Sequence, residues 1–89
     1  MRMGSVQAEE RIRVHRTVMD AIPQEFTWRG RRYSVQRIEQ ASPRAHERGM
    51  PGLRKEFYVL QTKQGLRCRI SHEPGRGIWR LEQMLGAGG

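Results

Sequence analysis

The sequence predicts a mainly-β protein: a single small antiparallel meander of about five to six strands, rolled into a curled sheet or a small barrel. Three observations predict it. Apolar residues recur with period two in several short runs. Glycine and proline turn signals separate those runs at regular intervals. No segment sustains a helical period. With 89 residues there is room for one domain. The expected layout is a flexible N-terminal arm over 1–10, one β domain over 11–85 and a flexible tail over 86–89.

The first strand is Arg11-Ile12-Arg13-Val14-His15-Arg16-Thr17-Val18. Ile12, Val14 and Val18 alternate against Arg11, Arg13, His15 and Thr17, which argues for one wet face. Arg16 falls on the apolar side, so the strand is expected to leave the core there or to lie at an edge. Met19 to Gln24 reads as a connection, because Pro23 cannot donate to a ladder. The next two strands form a hairpin, Phe26-Thr27-Trp28-Arg29-Gly30-Arg31-Arg32-Tyr33-Ser34-Val35. Each arm puts two large residues on one face: Phe26 and Trp28, then Tyr33 and Val35. Arg29-Gly30 forms the turn, where glycine reaches positive φ without steric cost. Ile38 breaks the parity of the second arm by one residue. A β-bulge near Gln36-Arg37 would return it to the core and bend the sheet.

Ala41 to Gly52 reads as the longest loop and the mobile one. Lys55 to Thr62 is the most β-prone run, apolar on both faces at 57–60, with Phe57 and Val59 placed inward. After the turn Lys63-Gln64-Gly65, Leu66, Cys68 and Ile70 point inward and Arg67, Arg69 and Ser71 outward. A second turn, Glu73 to Gly77, leads to the last strand, with Trp79 and Leu81 inward. The predicted core is Phe26, Trp28, Tyr33, Val35, Val59, Cys68, Ile70, Trp79 and Leu81.

Basic residues number 17 against 9 acidic ones, a formal net charge of +8. All but Lys55 and Lys63 of the basic set are arginines. Arginine presents a planar fork that grips phosphate in two places and stacks on bases. A cationic domain of this size points to a polyanionic partner. No apolar run is long enough to span a membrane, and the N-terminus lacks the pattern of a signal peptide. A single cysteine allows no internal disulfide, so a reducing cytoplasm is the expected setting. Cys68 is the single cysteine and fits inert packing. His15, His46 and His72 lie on separate elements without ligand spacing. No metal site, cofactor or catalytic group is expected, and the chain reads as non-enzymatic.

The arginine pattern carries the functional reading. Arg11, Arg13, Arg67 and Arg69 lie on outward parity; Arg29, Arg31 and Arg32 crowd the hairpin tip; Arg76 sits in a turn. Guanidiniums at strand spacing form a phosphate-tracking surface if their strands share a sheet. Tyr58, opposite in parity to Phe57, is the expected exposed stacking ring.

Three stretches also resemble a family. Pro23-Gln24-Glu25-Phe26-Thr27-Trp28-Arg29-Gly30-Arg31-Arg32-Tyr33-Ser34-Val35 looks like the opening signature of a small bacterial domain without an assigned activity. Phe57-Tyr58-Val59-Leu60 and Gly77-Ile78-Trp79-Arg80-Leu81 are similar to its later strands, so the resemblance covers about residues 20–85. The family's tryptophan after the Tyr33 strand is absent here, where Gln40-Ala41 stands. That domain accompanies Y-family translesion DNA polymerases and their mutagenesis-cassette relatives. The resemblance implies a DNA-repair or damage-tolerance setting and no catalytic residues. The expected function is therefore a nucleic-acid-binding accessory module, for DNA rather than RNA. The alternative is an adapter that docks on a polymerase subunit or another acidic partner through an open sheet edge.

Overall fold

The computed structural model describes residues 6–19, 22–46 and 54–87. Six strands follow one another: β1 (Val6–Val18), β2 (Ile22–Trp28), β3 (Arg31–His46), β4 (Arg54–Thr62), β5 (Leu66–Glu73) and β6 (Ile78–Ala87). Each pairs antiparallel with the next, and β6 returns to pair with β1. The sheet is thus a closed up-and-down barrel. Closure removes the open edge on which the adapter reading relied, because every described strand has a neighbour on both sides.

Local chemistry explains the elements. In the β2–β3 hairpin Trp28 pairs with Arg31, which leaves Arg29-Gly30 as a two-residue turn. Both turn residues have positive φ, 52° and 74°, as the twist of a type I′ hairpin requires. Phe26 faces Tyr33 across the hairpin, and their rings stack at 5.4 Å. The predicted bulge is present: Val35 pairs with Thr62 but Arg37 with Gln61, so Gln36 is the extra residue. Ile38 accordingly packs against the core. A second shift follows between Ile38 and Gln40 and a third between Ser42 and Ala45. Bulges sharpen local twist, which is how β3 bends enough for a six-stranded sheet to close.

The core consists of Phe26, Trp28, Tyr33, Val35, Tyr58, Leu60, Leu66, Cys68, Ile70 and Leu81. Two expectations for it fail. Val59 lies on the outer wall, and the inward residues of β4 are Glu56, Tyr58, Leu60 and Thr62. Leu60 faces Cys68 and Tyr58 faces Ile70, so the inward parity of β5 imposes its own on β4. Trp79 is only half-buried; it packs against the core rim and stacks on His72 at 3.7 Å.

The boundaries differ as well. β1 begins at Val6, so the second half of the expected arm is strand, while residues 1–5 lie outside the described residues. Its pairing slips between Gln7 and Glu10, where Glu9 has positive φ. That slip turns Glu10 toward the barrel end, where its carboxylate accepts the Trp28 indole N–H at 3.0 Å. A buried tryptophan needs such a partner. Further along, the register shifts on both sides of Arg16, which is exposed, so the strand bulges there rather than ending. The expected connection is shorter than predicted, since β2 starts at Ile22 and Pro23 is buried. Ala41–His46 of the expected long loop belongs to β3, and 47–53 lies outside the described residues. Gly86 and Ala87 of the expected tail end β6.

The inward parity of β4 has a direct test. Leu60→Ala is expected to cost roughly 2–5 kcal/mol by urea denaturation, as a fully buried leucine should. Val59→Ala should cost about 1 kcal/mol or less. The reverse order would place the wrong face of β4 in the core.

Candidate nucleic-acid interface

The barrel interior is filled, so the reactive surface is its outer wall and its two ends. The outer wall follows from strand parity: side chains that do not enter the core project from it. On β1 these are Arg11 and Arg13, both exposed. Arg11 stands opposite Arg80 of β6, which in turn faces Ser71 of β5. Arg67 and Arg69 lie further along β5. In the closed barrel β6 lies between β1 and β5, so the arginines of those two strands flank it on either side, Arg11 level with Ser71 and Arg69 level with Gln7.

The structure divides the predicted arginines by whether a carboxylate already holds them. Arg29 at the tip grips Glu10 with two nitrogens, Nε to Oε1 at 3.0 Å and Nη2 to Oε2. That hydrogen bond and charge hold the Glu10 carboxyl below its ordinary pKa. Arg32 lies 3.7 Å from Glu25, and Arg67 donates to Glu39 at 2.8 Å. Arg76 is 3.4 Å from Glu73, which also accepts from Arg80 at 2.6 Å. Arg11, Arg13, Arg16, Arg31 and Arg69 are exposed and have no ion pair among the described residues. Arg31 approaches the Tyr33 ring at 5.9 Å, and Arg69 lies 4.8 Å from the centroid of Phe57.

Tyr58 is not the exposed ring. It is 4% exposed, and its hydroxyl donates to Glu56 at 3.3 Å. Burial, reinforced by the Glu56 charge, pushes its pKa up to about 12. His72 Nδ1 also lies 3.2 Å from Glu56 Oε1, so this barrel end closes over a polar cluster of Glu56, Tyr58 and His72 capped by Trp79. The aromatic on the outer wall is Phe57 instead. One cross-strand row runs beside it: Gln40 pairs with Val59, Val59 with Arg69, and Arg69 with Gln83. Phe57 flanks this row on one side and Leu85 on the other, and together they line a groove of about 310 Å³.

No family model, curated protein or solved structure matches the chain. Among the described residues, no helix is long and apolar enough to cross a membrane.

Sequence reasoning missed Phe57, because residues 57–60 are apolar on both faces. A usable signal was present in the β4–β5 turn. The three-residue loop Lys63-Gln64-Gly65 sets Thr62 against Leu66, and the Leu66 N–H donates to Thr62 Oγ1 at 3.0 Å. Once Leu66 is inward, Thr62, Leu60 and Tyr58 must be inward too. Glu10 and Glu73 were missed for a different reason: a carboxylate's partner lies across the barrel or across a turn, where no sequence period points.

Two predictions follow from buried groups here. Burial raises the pKa of Glu73, but the hydrogen bonds and charges of Arg80 and Arg76 outweigh it and hold the group below its ordinary 4.5. A lowered carboxylate pKa stabilises the fold above the unfolded value and loses that contribution as pH falls through the folded one. The melting temperature should therefore fall on acidification below pH 4.5. Glu73→Gln should start lower at neutral pH and depend less on acid; an unchanged acid profile would remove Glu73 from the fold's pH response. Cys68 is fully buried, and burial pushes its thiol up to about 12. Thiol reagents should label it in native buffer only as fast as the protein opens.

Proposed function

We propose that the chain is a non-enzymatic nucleic-acid-binding module whose outer barrel wall follows a phosphate backbone. The observation that carries this is the set of exposed arginines without an internal carboxylate: Arg11, Arg13, Arg16, Arg31 and Arg69. A guanidinium that no protein carboxylate satisfies is ready to take phosphate in a bidentate grip. The arginines already paired, such as Arg32 and Arg67, remain partly exposed and form a second tier that a stronger anion can recruit. The motif resemblance supports DNA over RNA and a role as an accessory to repair or lesion bypass, and the single cysteine fits a cytoplasmic setting. A membrane-spanning barrel is disfavoured by charge placement, since exposed arginines such as Arg11, Arg13 and Arg69 occupy the wall where a spanning barrel presents apolar residues.

One observation favours a second reading. Phe57, Val59 and Leu85 are apolar and only half-buried on the outer wall, as docking surfaces often are. An adapter would seat them, with the same arginines around them, on an acidic patch of a polymerase subunit.

Titration with single- and double-stranded DNA and RNA at two salt concentrations separates the readings. Phosphate contact by these arginines implies a log–log salt slope of about −4 to −5 on duplex DNA, at roughly −0.9 per contact. Arg11→Gln with Arg13→Gln should flatten that slope by about two and weaken binding evenly across sequences. The melting temperature should hardly move, because both residues are on the surface. Absence of binding at low salt would leave the adapter reading.

A further inference from the structure

We infer that the groove over Val59 receives an unpaired nucleobase, so that the protein selects single strands over duplex. The inference rests on the nucleic-acid reading above and names what that wall recognises. The groove has the parts that a base requires. Phe57 offers a ring at one margin, Val59 an apolar floor and Leu85 an apolar wall opposite. Gln40, exposed at the end of the cross-strand row, brings an amide whose oxygen accepts and whose nitrogen donates. Such an amide matches a base edge.

Arg69 decides in favour of a nucleotide over a neutral ligand. Its guanidinium lies 4.8 Å from the Phe57 ring, held there by cation–π attraction and by no carboxylate among the described residues. An entering base takes the guanidinium's place against the ring, and the freed fork turns to the phosphate of the same nucleotide. Stacking then replaces the cation–π contact, and a charge-assisted bond to phosphate is added. A paired base cannot make this exchange, because both of its faces are covered by its neighbours in the duplex. The surrounding net charge of +8 draws a polyanion to the wall before any base enters.

The test uses the intact chain and a single-stranded DNA of about 12 nucleotides carrying one 2-aminopurine, a fluorescent base quenched by stacking. The parent should quench it and bind the single strand more tightly than the matching duplex. Phe57→Leu keeps the groove apolar. It should abolish quenching and weaken single-strand binding roughly tenfold, within the range for losing one stacked base. Duplex affinity, salt slope and melting temperature should stay at parent values, and Phe57→Tyr should restore quenching. Quenching and single-strand affinity that survive Phe57→Leu would overturn the inference while the cationic wall stood. Equal parent affinity for single strand and duplex would do the same. A parent that binds neither at low salt would overturn both readings at once.

Discussion

Everything in this fold depends on β1 pairing with both β2 and β6. The chain must hide an apolar sheet face, and among the described residues it has no helix to lay across that face. The remaining solution is to roll the sheet until its face covers itself. Rolling a six-stranded sheet that tightly demands sharp local bends, and the chain places them as bulges. Three register shifts fall along β3, and β1 slips once before Glu10 and again around Arg16. The slip before Glu10 does more than bend the strand. It aims a carboxylate at the barrel end, where one side chain satisfies the Trp28 indole and clamps Arg29 of the hairpin tip. Closure and the aromatic hairpin are thus fastened at the same point.

Closure also dictates where recognition can occur. A barrel of this size fills its interior with side chains, so any macromolecular partner meets the outer wall. That wall carries most of the charge, and net positive charge works against the compact state through self-repulsion. The fold offsets part of it by pairing. Arg11 and Arg80 stand directly opposite, an unfavourable like-charge pair, but Arg80 turns to the buried Glu73 and leaves the site to Arg11. Glu39 takes Arg67 in the same way and leaves Arg69 without a carboxylate. The acidic residues therefore sort the arginines into those that hold the barrel together and those that face outward for a partner. The placement of nine acidic residues among seventeen basic ones is as much a part of the wall as the arginines are.

The interior ends differ in character. At the end near Glu56, the carboxylate accepts from the Tyr58 hydroxyl and lies beside His72, under the Trp79 ring. Burying this polar cluster is affordable because its members satisfy one another. It also explains why Tyr58 and not Phe57 points inward. The hydroxyl finds a partner inside, while a phenyl ring on the outer wall leaves no polar atom unsatisfied in either place.

By itself the sequence determined the strand order, the turns at 29–30, 63–65 and 74–77, the hairpin register, the bulge near Gln36 and the inward parity of β2, β5 and the start of β3. Those features are local: alternation of residue types, a glycine at positive φ, and one step of broken parity can be read along the chain. It also determined the cationic character of the surface and the outward parity of Arg11, Arg13, Arg67 and Arg69. Only the tertiary structure decided that the sheet closes, because β1 and β6 are far apart in sequence and nothing local announces their pairing. It alone decided the parity of β4, where apolar residues on both faces erase the alternation and the partner strand breaks the tie. And it alone decided which arginines remain open, because an ion pair depends on where a carboxylate arrives in space. Charge is a property of composition, whereas its availability is a property of the fold.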